Sequence, residues 1–167
     1  MQSQRVPHSR VASAAAQGLS GTREPDPIVM DKAEIDTTAL LLELHEAHLK
    51  AWNEHDLGAL GEIYHCDCLI YNTIAPPQFN GLAEFVDHIL PVLQSYSGFR
   101  LRTFDRVARV EEREYTGIGW IASRYELEAR RREGVYRRSG RWTEVYEKEG
   151  GTWKLVHFHS SDDPEPA

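Results

Sequence analysis

Residues 141–161 read RWTEVYEKEGGTWKLVHFHSS. Apolar and polar residues alternate on both sides of Gly150-Gly151, which is typical of two strands joined by a tight hairpin. Side chains along a strand point alternately to opposite faces of the sheet. Trp142, Glu144 and Tyr146 therefore share one face, and the stretch predicts a domain that closes with an antiparallel hairpin.

The sequence before this hairpin predicts helices first and strands afterwards. Leu44, His48 and Trp52 recur at helical spacing, and Asp56 is suited to cap a second helix. The predicted helices span 31–54, 57–65 and about 81–96, and the predicted strands span 66–73, 99–112, 115–131 and 135–148. Helices followed by a run of strands are typical of the α+β class.

The C-terminal stretch resembles the nuclear-transport-factor-2-like superfamily, in particular SnoaL-like proteins and the association domain of calcium/calmodulin-dependent kinase II. Those groups close with a Thr-x-Val-aromatic strand, a charged glycine turn and a Trp-x-x-Val-His-x-His-x-Ser strand. The matching residues are Thr143, Val145, Tyr146, Trp153, Val156, His157, His159 and Ser161. The resemblance implies an α+β, cone-shaped fold of three N-terminal helices packed on a curved antiparallel β-sheet with an internal pocket.

A second resemblance covers residues 45–81. Asn53, Asp56 and Leu57 match the Asn-x-x-Asp-Leu helix break of ketosteroid isomerase-like proteins. Tyr64 and Asp67 continue that match. The pattern supports the same superfamily without indicating an activity.

His48 and Asn72 stand where those isomerases place an oxyanion donor and the general base. An amide has no accessible pKa with which to carry a proton, so the isomerase mechanism does not carry over. Asn72 is expected either to hydrogen-bond a ligand or to cap the end of its strand. His48 is expected to be either a core histidine bonded to a backbone carbonyl or an acid or base in the pocket.

The same resemblance suggests which face of the closing hairpin lines the pocket. In the kinase association domain, arginines that bind small carboxylates stand at the positions of Glu144 and Ser160. Their replacement predicts a pocket for neutral or cationic ligands. The predicted pocket set is Trp142, Glu144, Tyr146, Phe158 and Ser160. A β-bulge would bring the opposite set, His157 and His159, into the pocket in place of an outer face.

Glu144 is the candidate carboxylate base. Burial in an apolar cavity predicts a raised pKa for this group, toward values useful in proton transfer. The alternative is a structural role as the cross-strand partner of an arginine such as Arg124.

The charge of the chain is unevenly distributed. The 167 residues carry a net charge of −7, yet residues 1–23 contain three arginines and no acid. Residues 1–29 have no apolar period and predict a disordered tail, with a targeting segment as the alternative. The domain is predicted over residues 30–163, followed by a short tail over residues 164–167.

Composition also excludes several classes of partner. An acidic body argues against nucleic acid, and the cluster Arg130-Arg131-Arg132 with Arg137 and Arg138 is interpreted as a solvated hairpin end. No apolar run reaches the length of a membrane span. A cytoplasmic protein is therefore expected.

Two paired motifs raise the question of zinc. Cys66-x-Cys68 and His157-x-His159 offer thiolates and imidazoles, each pair at a spacing that points both side chains the same way along a strand. The usual Cys-x-x-Cys knuckle is missing. We therefore predict no metal and no cofactor.

Taken together, the sequence predicts a small-molecule-binding SnoaL-like domain. If it is catalytic, it is a cofactor-independent isomerase, cyclase or dehydratase in which His48 and Glu144 carry protons. The alternative is a non-catalytic ligand-binding or oligomerisation module. The predicted ligand contacts are Trp52, Tyr64, Asn72, Trp142, Tyr146, Phe158, Ser160, His157 and His159. Long strands with apolar residues on both faces predict a homodimer through the outer sheet face.

Overall fold

Three helices cover one side of a six-stranded sheet in the computed structural model, which describes residues 32–164. The helices are α1 (Lys32–Glu54), α2 (Leu57–Ile63) and α3 (Leu82–Gln94). The strands are β1 (Tyr64–Tyr71), β2 (Gln78–Asn80), β3 (Gly98–Glu112), β4 (Thr116–Arg131), β5 (Gly134–Glu149) and β6 (Thr152–Asp162). The predicted tail over residues 1–29 and most of the predicted C-terminal tail lie outside the described residues.

The sheet has the strand order β2-β1-β6-β5-β4-β3. Strands β3 to β6 form an antiparallel meander, as their short connections predict. Strand β1 differs, because it runs parallel to β6. No hairpin constrains these two strands, which are far apart in sequence. The predicted α+β cone is confirmed, with a mixed sheet.

The hairpin between β5 and β6 forms where the sequence places it. Gly150 and Gly151 have φ values of 56° and 88°, and Glu149 pairs with Thr152 across the turn. A two-residue turn with both φ values positive matches the right-handed twist of the flanking strands, and glycine adopts it without steric cost. This turn and a β-bulge in β6 together set the register that places Glu144 opposite Phe158.

The junction of α2 and β1 lies earlier than predicted. Helix α2 begins after Asp56, whose carboxylate accepts a hydrogen bond from the Ala59 amide at 2.9 Å, as expected. It ends at Ile63 instead of near residue 65, because Tyr64 is already extended and pairs with Leu155 of β6. Tyr64 therefore projects from a strand, into the core.

Helix α1 is held closely against the sheet. Gly119 of β4 leaves room for Leu41, since a Cβ at that position would lie 2.3 Å from Leu41 Cδ1. The Asn53 side chain accepts from the Leu101 amide at 2.7 Å and donates to the Leu101 carbonyl at 2.9 Å, which ties the end of α1 to β3. These contacts fix the position from which the α1 side chains reach the strands.

The inward face of α1 is rotated slightly from the predicted one. Leu44 is only partly buried, whereas His45, one residue later, is fully buried with Leu41 and His48.

Among the described helices, none is both long enough and apolar enough to cross a lipid bilayer.

Candidate functional site

Glu144 lies at the centre of a buried polar network on the inner face of β5. Its Oε1 accepts hydrogen bonds from His48 Nδ1 at 2.6 Å and Trp142 Nε1 at 2.7 Å. Its Oε2 accepts from His45 Nδ1 at 2.8 Å and from the Tyr146 hydroxyl at 2.9 Å. Glu144 and both histidines have no solvent exposure. The carboxylate is thus enclosed and bonded on both oxygens.

These partners reverse the direction predicted for the pKa of Glu144. Burial alone raises the pKa of a carboxyl group, but His48 and His45, bonded directly to its two oxygens, outweigh burial and hold the pKa of Glu144 well below its ordinary value. The expectation of a raised pKa is therefore wrong. The alternative pairing with Arg124 is also wrong, because Arg124 pairs with Asp163 at 2.6 Å.

The hydrogen bonds of His48 define its proton positions. The Trp52 indole N–H points at His48 Nε2 at 2.8 Å, and an indole can only donate. Nε2 must therefore accept, and its single lone pair is shared with the Tyr64 hydroxyl, which also lies 2.8 Å away, while Nδ1–H donates to Glu144. This bonding identifies Nδ1 of His48 as the donor and Nε2 as the acceptor. Its partners are side chains, so the expected bond to a backbone carbonyl is wrong.

His45 completes the network, and the sequence analysis did not single it out. Its Nε2 lies 2.8 Å from Thr103 Oγ1, which also accepts from Arg106 Nε at 2.9 Å. Arg106 in turn forms an ion pair with Glu46. The signal was present in the sequence, since His45 and His48 are three residues apart on one helix and so share a face.

A cavity of about 350 Å³ opens beside this network. Trp52, Trp142 and Phe158 separate the two regions, because they line the cavity and also lie with their ring centroids 5.6–6.3 Å from that of His48. Aliphatic side chains of α3 and further aromatic rings complete the wall. Among them are Ile89, Leu93, Phe99, Tyr125 and Tyr136.

Apart from His157 and His159, the structure divides the predicted site residues into two groups. Those in the cavity wall are Trp52, Asn72, Trp142, Phe158 and Ser160. Those in the enclosed network, outside the cavity wall, are His48, Tyr64, Glu144 and Tyr146. Because Glu144 does not line the cavity, its charge gives no basis for the expected preference for neutral or cationic ligands.

Asn72 fulfils the capping role that was one of its two alternatives. Its Oδ1 accepts from the Ile74 amide at 3.2 Å and from the Thr73 hydroxyl at 3.4 Å, in the loop that follows β1. This local bond shapes the loop at the cavity wall. Ligand contact by the same side chain stays a prediction.

His157 and His159 lie away from the cavity wall. His157 Nδ1 lies 2.9 Å from the Leu69 carbonyl oxygen, and both histidine rings pack edge-on against Tyr71. Burial and the neighbouring His157 lower the pKa of His159. A bulge in β6 does occur, between the pairs Val145/His157 and Tyr146/Leu155. It breaks the alternation of faces, so that Phe158 and Ser160 face inward on the same side as Trp153 and Leu155, and not His157 and His159 as expected for a bulge.

The two cysteines do not form the predicted same-side pair. Cys66 is exposed, whereas Cys68 is fully buried and its burial raises the pKa of its thiol to about 12. The cause is an irregularity in β1 between Tyr64 and Leu69, which breaks the simple alternation of faces.

The arginine cluster is mostly exposed at the end of the β4–β5 hairpin, as predicted, and two of its members also reach the cavity. Arg131 at the end of β4 and Arg138 on β5 belong to its lining. The sequence could not indicate this, because the approach of the β4–β5 hairpin to the end of α3 is a tertiary feature.

Comparisons with known proteins agree with this architecture. A family model described as a SnoaL-like domain matches residues 41–164. No curated protein resembles the sequence closely enough to count as a match.

Several solved structures share the fold. A nuclear-transport-factor-2-like superfamily protein from Salmonella enterica serovar Typhimurium superposes with a TM-score of 0.66 at 14% identity, covering 80% of this chain and 95% of that one. A putative calcium/calmodulin-dependent protein kinase II association domain from Xanthomonas campestris has a TM-score of 0.61 at 19% identity, covering 78% and 88%. The association domain of the Caenorhabditis elegans kinase has a TM-score of 0.62 at 14% identity, covering 78% and 99%. With the family match spanning most of the domain, the chain belongs to the SnoaL-like domain family.

Proposed function

We propose that this protein binds a small, ring-containing molecule in the cavity beside the Glu144 network, and that the network serves as structural support. The observation that carries the proposal is the cavity itself, about 350 Å³ with a predominantly aromatic and aliphatic wall. Ligand pockets of small molecules have this size and character, with a few polar groups that fix orientation. Here Ser160 and Asn72 are two such groups.

The bonding of Glu144 argues against a role as the proton carrier. A general base needs a pKa near the working pH and access to the proton that it removes. Glu144 has a lowered pKa, accepts four hydrogen bonds and lies outside the cavity wall. Binding without proton transfer by Glu144 is therefore the function that the geometry supports best.

A cavity-filling variant tests the proposal. The fluorescent probe 1-aminoanthracene, a neutral ring compound, is titrated into the protein. Saturable binding to one site is expected, and Ile74→Trp should abolish it because Ile74 lies in the cavity wall. Ile118→Trp is the matched control, since Ile118 is exposed on the other face of the sheet. Absence of saturable binding, or equal binding by both variants, contradicts the proposal.

One observation favours an enzyme as the second candidate. Glu144 holds His48 in a single tautomer, which is how a catalytic imidazole is oriented. If a substrate displaced the Trp52 indole, His48 Nε2 would be available as a base for cofactor-independent isomerisation, cyclisation or dehydration, with Tyr64 and Asn72 positioning the substrate. Enolisable 2-tetralone in D₂O tests this. Protein-accelerated deuterium incorporation that is lost in His48→Gln supports the enzyme, and no acceleration excludes it for such ketones.

We also propose a homodimer through the outer face of the sheet. Val107, Ile118 and Trp120 are 39–47% exposed on neighbouring strands of that face. Apolar side chains grouped in this way mark contact surfaces. Sedimentation should give twice the chain mass for the natural protein and the chain mass for Trp120→Lys. A natural protein that sediments as a monomer contradicts the proposal, and a larger assembly revises its size.

A further inference from the structure

The charged groups at the cavity have one sign. Among the described residues that line it, Arg131 and Arg138 carry charge, and none is acidic. The whole chain has a net charge of −7, so this local excess of positive charge opposes the general composition. A cavity with an apolar wall and cations at one side selects ligands by charge as well as by shape.

Two aromatic rings hold the Arg131 guanidinium in position at the cavity. Its guanidinium carbon lies 4.7 Å from the ring centre of Tyr96 and 4.9 Å from that of Tyr136, and its Nη2 donates to the Tyr96 hydroxyl. Both tyrosines line the cavity too. Within residues 32–164, no carboxylate lies within ion-pair distance of Arg131. Arg131 is exposed to solvent at the cavity, where its guanidinium is ordered by stacking and is not neutralised by an acid.

Arg138 is held differently. It forms an ion pair with Asp162, whose other oxygen accepts from the Tyr125 hydroxyl at 2.7 Å. Its guanidinium carbon lies 5.1 Å from the ring centre of Tyr136. Arg138 therefore packs on the same Tyr136 ring as Arg131, with its charge largely balanced. Arg131 supplies the main attraction for an anion, and Arg138 supplies further N–H donors.

We propose that the ligand of this cavity is an organic acid with a flat ring body. Its rings lie against Trp52, Trp142 and Phe158, and its carboxylate binds Arg131, with Arg138 alongside. The planar guanidinium offers paired N–H donors that match the two oxygens of a carboxylate. The inference rests on the proposed function, because it names the ligand class of the same cavity.

Matched acid–amide pairs test the inference. Benzoate, naphthalene-2-carboxylate and biphenyl-4-carboxylate are each compared with the corresponding neutral carboxamide by calorimetry at low salt. The best acid should bind about ten-fold more tightly than its amide, as expected for a charge-assisted hydrogen bond. Arg131→Met should remove that difference. Arg132→Met, which alters the same charge on an exposed residue outside the cavity lining, should preserve it.

The outcomes separate the two proposals. Equal affinity for acid and amide in the natural protein, with loss of both in Ile74→Trp, overturns the acid specificity and leaves the cavity as a binding site. An acid preference that survives Arg131→Met also overturns the inference, because the preference then comes from another group. Absence of binding by all six compounds at millimolar concentration overturns the proposed function and the inference with it.

Discussion

The inside of the cone contains two polar regions that differ in how their groups are bonded. Around Glu144, the carboxylate has four donors at 2.6–2.9 Å and no exposure to solvent. Beyond Trp52 and Trp142, the polar groups of the cavity wall are few, and Arg131 carries an unneutralised charge. The difference suggests that matched polar groups here stabilise the fold, while recognition depends on the groups whose bonding capacity is left for a ligand.

Replacement of Glu144 by leucine should have the largest effect on this comparison. The substitution leaves two imidazoles, an indole N–H and a hydroxyl without their acceptor in a buried site. We expect the free energy of unfolding, measured in urea, to fall by about 3–5 kcal/mol. Glu147→Leu, on the exposed face of the same strand, is the control and should change it by less than about 0.5 kcal/mol. Similar losses in both would show that the network is not a stabilising unit.

His48→Ala should have the next largest effect on stability. The change removes hydrogen bonds to Glu144, Trp52 and Tyr64 and leaves a small cavity. A loss of about 2–3 kcal/mol in the free energy of unfolding is expected. The folded fraction should still bind 1-aminoanthracene. Unchanged stability combined with lost binding would instead place His48 in the ligand site.

Acidification should weaken the network by a smaller amount. The pKa of Glu144 is lower in the folded chain than in the unfolded chain, so the native state binds fewer protons. Its contribution is complete above the unfolded pKa of about 4.3 and is lost as pH falls below that value. The stability difference between the natural protein and Glu144→Gln should therefore narrow by about 1–2 kcal/mol between pH 5 and pH 3. A constant difference would mean that the carboxyl group is already protonated in the folded state.

Trp52→Phe should have the smallest effect and tests the boundary between the two regions. Phenylalanine keeps a ring in the cavity wall but removes the N–H that bonds to His48 Nε2. Since the Tyr64 hydroxyl still bonds that nitrogen, the free energy of unfolding should fall by about 1 kcal/mol. Probe binding should change little. A loss as large as that of His48→Ala would show that the indole N–H controls the whole network.

The features that sequence predicted well are those governed by local rules. Alternation along β5 placed Trp142, Glu144 and Tyr146 together on one face, and the two glycines marked the turn. Helical spacing placed His48 and Trp52 inside. Each of these inferences needs only the geometry of one element.

The errors concern contacts between elements that are distant in sequence. The pKa of Glu144 depends on two histidines 96 and 99 residues away, and a rotation of α1 by one position exchanges Leu44 for His45. The sign of a buried group's pKa shift depends on its partners as much as on burial. The two arginines in the cavity wall were missed for the same reason, since their position depends on how the hairpin meets α3.

The parallel pairing of β1 with β6 has a consequence for synthesis on the ribosome. Domains emerge from their N-terminal side, and long-range pairing is slow because its entropic cost precedes its reward. The pairs of Tyr64 with Leu155 and of Ile70 with Phe158 cannot form until residues 152–162 have been translated. Until then the edge of β1 that pairs with β6 has no partner strand. A nascent chain that is stalled within β6 should therefore bind chaperones more strongly than a chain in which β6 has fully emerged from the ribosome.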